Sequence, residues 1–191
     1  LGQKIYPLPV RVPLEITMEN ADLFWEVPYV SEHANELLVR AKTAPKSAWI
    51  PYYNFMALPL HNDWEVDTWW GKLFEVHPFR AGIIKLEPNT YYDWHVDTDR
   101  GVGVNLLLNP SQSHCLFNRD FKRGKSLEQG NVNGSFVELK YKPHTYYIFN
   151  SQVAHSVYNF DDTRYLLTVD FKEYKDKLTY NQLLKEFLEA R

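Results

Sequence analysis

The sequence predicts a mainly β protein, a sandwich or barrel flanked by one helix near each end. Short strand-like runs crowd the second half of the chain, broken by Pro-Asn, Asn-Pro and Asp-Asp turns. Aromatic residues make up 16% of the chain, with 13 Tyr, 11 Phe and 6 Trp, which favours strands and aromatic-lined pockets over a helical bundle. Helical periodicity is confined to two segments, one before the strand-rich region and one after it.

In chain order, residues 1–30 are Pro-punctuated and extended, with Tyr6-Pro7-Leu8-Pro9-Val10 reading as an edge strand. Ser31 is expected to cap a helix running to about Ala41, with Ala34, Leu37, Leu38 and Ala41 on its apolar face. Residues 42–80 hold strand-like pieces between turns and the aromatic cluster Trp64, Trp69 and Trp70. Eight strands then follow, over 83–86, 91–97, 102–108, 113–117, 135–139, 145–149, 153–158 and 164–171. The segment 118–133 exceeds an ordinary connection and is expected to lie beside the mouth of the β-structure. Its Arg119, Lys122, Arg123 and Lys125 would favour a carboxylate-bearing substrate. Residues 174–190 read as a helix with Leu178, Leu183, Leu184, Phe187 and Leu188 on one face. Residues 1–191 read as one domain with a β core at about 81–171.

Composition excludes several classes of function. The net charge of -3 offers no basic surface for a polyanion, so no nucleic-acid partner is expected. No apolar run approaches the length of a membrane span, and no signal-peptide pattern is visible. The single Cys115 excludes an internal disulfide and fits a reducing, cytoplasmic setting. There is no Gly-rich phosphate loop, nucleophile elbow or zinc-type Cys/His spacing.

Three positions carry chemistry. His95 and Asp97 stand two apart in a strand and so share a face, which presents an imidazole and a carboxylate side by side. That is two thirds of a 2-His-1-carboxylate triad, although an exposed His and Asp on any strand give the same pattern. Asp99 is the fallback carboxylate if the strand bends. His155 shares its face with Val153 and Val157; it is either a satisfied core histidine or the third ligand, brought in from a distant strand of a closed β-structure. Arg164 opens an apolar strand and shares a face with Leu166 and Thr168. An inward Arg must be paired, and a ligand carboxylate would pair it bidentately; otherwise it is a surface Arg at a strand start. Tyr91 and Tyr92 are candidates for pocket lining or for plain packing.

The set His95-x-Asp97, His155 and Arg164 nine residues later, within an eight-strand array, resembles the Fe(II)/2-oxoglutarate oxygenase superfamily. More narrowly it is similar to the aspartyl/asparaginyl β-hydroxylase family, which includes hydroxylases of free proline. The stretch Ile84-Lys85-Leu86-Glu87-Pro88, then Trp94-His95-Val96-Asp97, matches that family's strand, Pro turn and first ligands. Cys115-Leu116-Phe117 matches its next strand, and Phe149-Asn150, His155, Val157, Asn159, Arg164 and Asp170 match its terminal stretch.

The resemblance covers about 81–171 and implies a double-stranded β-helix, a jelly roll of the cupin kind. It implies Fe(II) on His95, Asp97 and His155, with 2-oxoglutarate and O2 as cosubstrates and Arg164 on the far carboxylate. Asn105 stands where the family often has a His and is a further candidate to hydrogen-bond the cosubstrate. Arg100 is a candidate for a cosubstrate or substrate carboxylate, or a solvated loop Arg. The implied reaction hydroxylates an unactivated C–H of an amino acid or peptide side chain and yields succinate and CO2. Asp97 argues against a halogenase, where a small residue vacates that position for halide. The rival is a cupin-like module that binds or senses a metal or small carboxylate without turnover; it has no need of a cosubstrate grip such as Arg164.

Overall fold

A computed structural model describes residues 19–52, 55–61, 76–121 and 134–190. The expected edge strand at 6–10, the Trp64, Trp69 and Trp70 cluster, and Lys122, Arg123 and Lys125 lie outside the described residues.

Among the described residues, eleven strands form two antiparallel sheets. They are β1 (Phe24–Val30), β2 (Ile50–Tyr52), β3 (Phe55–Leu60), β4 (Phe79–Leu86), β5 (Thr90–His95), β6 (Gly103–Leu107), β7 (Ser113–Asn118), β8 (Val137–Leu139), β9 (Thr145–Phe149), β10 (Ala154–Asn159) and β11 (Arg164–Phe171). The larger sheet runs β1-β9-β6-β11-β4-β3-β2 and the smaller β5-β10-β7-β8. From β4 onward successive strands alternate between the two sheets, except that β7 and β8 both lie in the smaller one, and this is the double-stranded β-helix. All eight expected strands are present, and β9 and β11 have the expected bounds. Differences are local. β4 begins earlier, at Phe79, because Phe79 to Ala81 pair with Val169 to Phe171 of β11. β5 stops at His95, so Asp97 lies beyond the ladder.

Helix α1 (Ala34–Thr43) begins later than expected. Its N-cap is His33, and the Ser31 hydroxyl accepts from the His33 N–H at 3.2 Å, one residue ahead of the helix. Helix α2 (Tyr180–Glu189) also starts late, behind a capping box in which Thr179 and Gln182 satisfy each other's backbone N–H groups. Both helices cover one face of the larger sheet. Ala34, Leu37, Ala41, Leu183 and Phe187 pack with Ile83, Val104, Leu106, Ile148 and Leu167. Alternation then sends Asn105, Tyr147, Arg164 and Thr168 to the opposite face, toward the smaller sheet.

Candidate metal centre

His95 and His155 are register partners on β5 and β10, with ring centroids 4.2 Å apart. Asp97 Oδ1 lies 3.6 Å from His95 Nε2 and 3.8 Å from His155 Nε2. One ligand atom from each residue falls within 4.8 Å of the others, a spacing able to hold one metal ion.

The donor set fits a divalent iron. Each His Nδ1 faces a backbone carbonyl, Asp93 O at 2.6 Å and Val153 O at 2.8 Å. Nδ1–H therefore donates to the carbonyl and the Nε2 lone pair points at the shared position. Burial and the neighbouring His95 pull the His155 pKa down to about 4, so this imidazole is neutral and free to ligate. Burial raises the Asp97 carboxyl, but the Arg100 charge and hydrogen bond together with the two neighbouring histidines outweigh it and hold the group below the usual carboxylate range. Neutral imidazoles with one carboxylate on one side of a metal leave positions open for further ligands.

Although Asp97 lies outside a strand, its loop is fastened from two sides. Asp97 N donates to Ser151 O, the buried Ser151 hydroxyl donates to Arg100 O, and Gln152 Nε2 donates to both Asp97 O and Arg100 O. From the other side Lys175 N donates to Asp99 O, and Gly101 bridges to Thr179. A Cβ on Gly101 would stand 2.4 Å from Leu178 O, so the close approach requires glycine. Asp99 itself is exposed and outside the His-Asp-His group.

Arg100 is engaged within the protein. Its Nε donates to Asp97 Oδ2 at 2.5 Å and its Nη1 to Thr168 Oγ1 at 3.1 Å. These contacts orient the proposed ligand Asp97, leaving its Oδ1 toward the histidines. Asn105 is likewise engaged within the protein. Its Oδ1 accepts from Thr168 and its Nδ2 donates to the Tyr141 hydroxyl.

The triad, Arg100, Asn105 and Arg164 all line one cavity of about 1400 Å³ between the sheets. Among the described residues, four guanidinium groups line it. Arg80 pairs with Asp170, Arg100 with Asp97 and Arg119 with Asp22. Arg164 is only 3% exposed, yet no carboxylate among the described residues is within ion-pair reach of it. It donates from Nε to Ser113 Oγ at 3.1 Å and lies over the Tyr141 ring. Its start is fixed by buried Asn159, whose Nδ2 donates to Leu86 O, Glu87 O and Asp162 O and so pins the preceding turn. A buried guanidinium without a carboxylate among the described residues has donors available for a ligand carboxylate.

Tyr92 lines the cavity, its ring 4.0 Å from that of His95 and edge-on to Phe55. Tyr91 points out and stacks on Tyr158. Sequence reasoning missed Tyr141, Thr168 and Phe55. Extending the alternation of Val137 and Leu139 by two residues would have placed Tyr141 inside.

No family model matches the chain, and no curated protein matches it in sequence. Solved structures do. A Pseudomonas putida prolyl-4-hydroxylase is similar at a TM-score of 0.59 and 14% identity, over 78% of this chain and 92% of that one. A collagen prolyl hydroxylase of Paramecium bursaria Chlorella virus-1, solved with 2-oxoglutarate, is similar at 0.56 and 13%, over 81% and 99%. A Trichoplax adhaerens prolyl hydroxylase, solved with a hypoxia inducible factor peptide fragment, is similar at 0.56 and 13%, over 84% and 86%. The fold is that of the 2-oxoglutarate and Fe(II) oxygenases, and this chain carries a His-Asp-His group within it.

Proposed function

We propose that the chain is an Fe(II)- and 2-oxoglutarate-dependent dioxygenase that hydroxylates an unactivated C–H of an amino acid or a peptide side chain, releasing succinate and CO2. His95, Asp97 and His155 hold the iron, and Arg164 holds the distal carboxylate of 2-oxoglutarate. Iron at such a site supplies activation of O2 coupled to oxidative decarboxylation of the cosubstrate. Arg100 keeps the Asp97 carboxylate turned, and Tyr92 with Phe55 walls the metal side of the cavity.

The observation that carries this reading is Arg164: a buried cation without a carboxylate among the described residues, in the cavity that holds the triad. A module that binds only a metal would have no use for it, and turnover separates the oxygenase from a module that merely binds a small carboxylate. The stretch from Phe149 to Asp170 supports kinship with the aspartyl/asparaginyl β-hydroxylases, and the prolyl hydroxylase likenesses make proline, free or in a peptide, the first substrate to try. Succinate formation from 2-oxoglutarate, followed on adding Fe(II) and then candidate substrates, tests the proposal. Turnover that needs the metal and rises with a substrate supports it; metal binding with no succinate under any substrate supports the non-catalytic module.

A further inference from the structure

We propose that the substrate is a free α-amino acid, held by its two charged ends on the Arg80–Asp170 pair at the open end of the cavity. This rests on the oxygenase reading above and narrows its substrate to one class.

Strand register sets the two ends of the cavity apart. The cavity faces of β4 and β11 run in rows: Leu86 with Arg164, Ile84 with Leu166, Gly82 with Thr168, and Arg80 with Asp170. Arg100 spans from the Asp97 carboxylate to the Thr168 hydroxyl, so the Gly82–Thr168 row is level with the proposed metal ligand. Arg164 lies on one side of that row and is only 3% exposed. The Arg80–Asp170 row lies on the other side, where the Arg80 side chain is 75% exposed. The cosubstrate anion site is thus at the closed end, and a substrate enters from the open one. At about 3.4 Å per residue, Asp170 stands about 7 Å along the strand from Thr168. A small molecule can bridge that distance while one of its C–H bonds faces the metal.

The pair has bonding capacity of both signs to spare. Arg80 donates from Nε to Asp170 Oδ2 at 2.6 Å, while its two Nη groups and Asp170 Oδ1 make no hydrogen bond among the described residues. The other carboxylates along this wall are committed or outside it: Asp97 faces the histidines, Glu173 is held by His77, and Asp99 is exposed on its loop. The Nη groups would donate to a substrate carboxylate, and Oδ1 would accept from a neighbouring ammonium. A zwitterion answers both charges and leaves neither uncompensated. A residue inside a peptide carries neither end, and an acidic side chain would leave Oδ1 without a donor.

The test follows succinate formation by native protein with Fe(II), 2-oxoglutarate and O2. The probes are the free proteinogenic L-amino acids, L-proline first, with the N-acetyl and carboxamide forms of each, and a proline-containing peptide blocked at both ends. A free amino acid is expected to stimulate turnover, and blocking either end to cost about 10-fold or more in kcat/KM. Arg80→Gln should lose about 10-fold or more on the free amino acid but much less on its carboxamide, and Asp170→Asn should show the same contrast with the N-acetyl form. A merely structural role would lower the free and blocked forms alike, and that result overturns the assignment. So does a blocked derivative or the blocked peptide that works as well as the free amino acid, which would leave the oxygenase reading standing. If no probe elicits succinate from native protein, the oxygenase reading falls and this one with it.

Discussion

His95 and His155 sit directly opposite each other on the hydrogen-bonded strands β5 and β10, and the register slips between this pair and the next, Tyr92 with Val157. Asp93 and Trp94 thus oppose the single residue Ser156, a β-bulge on β5. In a regular strand, residues three apart face opposite sides of the sheet; the bulge lets Tyr92 and His95 both line the cavity. The bulge aims the first proposed ligand, and the β10 partner supplies the third.

Replacing His95, Asp97 or His155 by Ala is expected to abolish Fe(II)-dependent turnover while the β-structure persists by circular dichroism. Each removes one leg of the triad. A His155→Ala protein that kept most of its activity would show that the third ligand lies elsewhere.

Arg164→Ala is expected to raise the 2-oxoglutarate requirement steeply, by roughly 2–5 kcal/mol of binding free energy, because a buried charge-assisted pair is lost. Arg164→Lys recovers part of this, since an ammonium restores the charge but not the planar fork. Anaerobic titration of 2-oxoglutarate decides the point, and native-like affinity in the Ala variant would remove Arg164 from the site.

Arg100→Ala behaves differently if Arg100 orients Asp97. Metal affinity is expected to fall about 10- to 100-fold, the usual cost of losing a group that orients a ligand. At saturating metal, 2-oxoglutarate affinity should change much less than in Arg164→Ala. The reverse ordering of the two effects would return Arg100 to the cosubstrate itself.

A pH effect on stability arises outside the cavity. His77 is buried between Glu173, 2.9 Å from Nδ1, and Glu186, 2.5 Å from Nε2, so that it ties α2 to the exit of β11. Burial lowers its pKa, but the two carboxylates outweigh that and the net shift is upward from 6.5. A raised folded-state pKa contributes stability that is fully present below about 6.5 and is lost as pH rises through the native value. Denaturant midpoints should therefore separate native protein from His77→Gln most at low pH in this range, and the gap should narrow on raising the pH. A gap that widened with pH would contradict the imidazolium assignment.

The strands were legible because short β runs with Pro-Asn and Asn-Pro turns dominate the second half of the chain, and β11 is bounded by its own Asp-Asp turn. The three proposed ligands and Arg164 were legible from spacing and type. Their route to one another was only half so: the histidines meet as neighbours within one sheet, not across the interior of the β-structure. The partners of Arg100 and Asn105 were not legible at all. They are set by Thr168 and Tyr141, which are distant in sequence and brought together by strand pairing. The Ser31 cap failed because His33 opens the helix, a boundary that local propensity places poorly.

Fe(II) and 2-oxoglutarate are proposed to bind together in the one cavity. Anaerobic titration of 2-oxoglutarate with and without Fe(II), in the native protein and in Asp97→Ala, tests it most directly. One equivalent should bind tightly only with Fe(II) present, with a metal-to-ligand absorption in the visible, and neither should appear in Asp97→Ala. Binding that is indifferent to Fe(II), or that survives Asp97→Ala unchanged, would contradict the account.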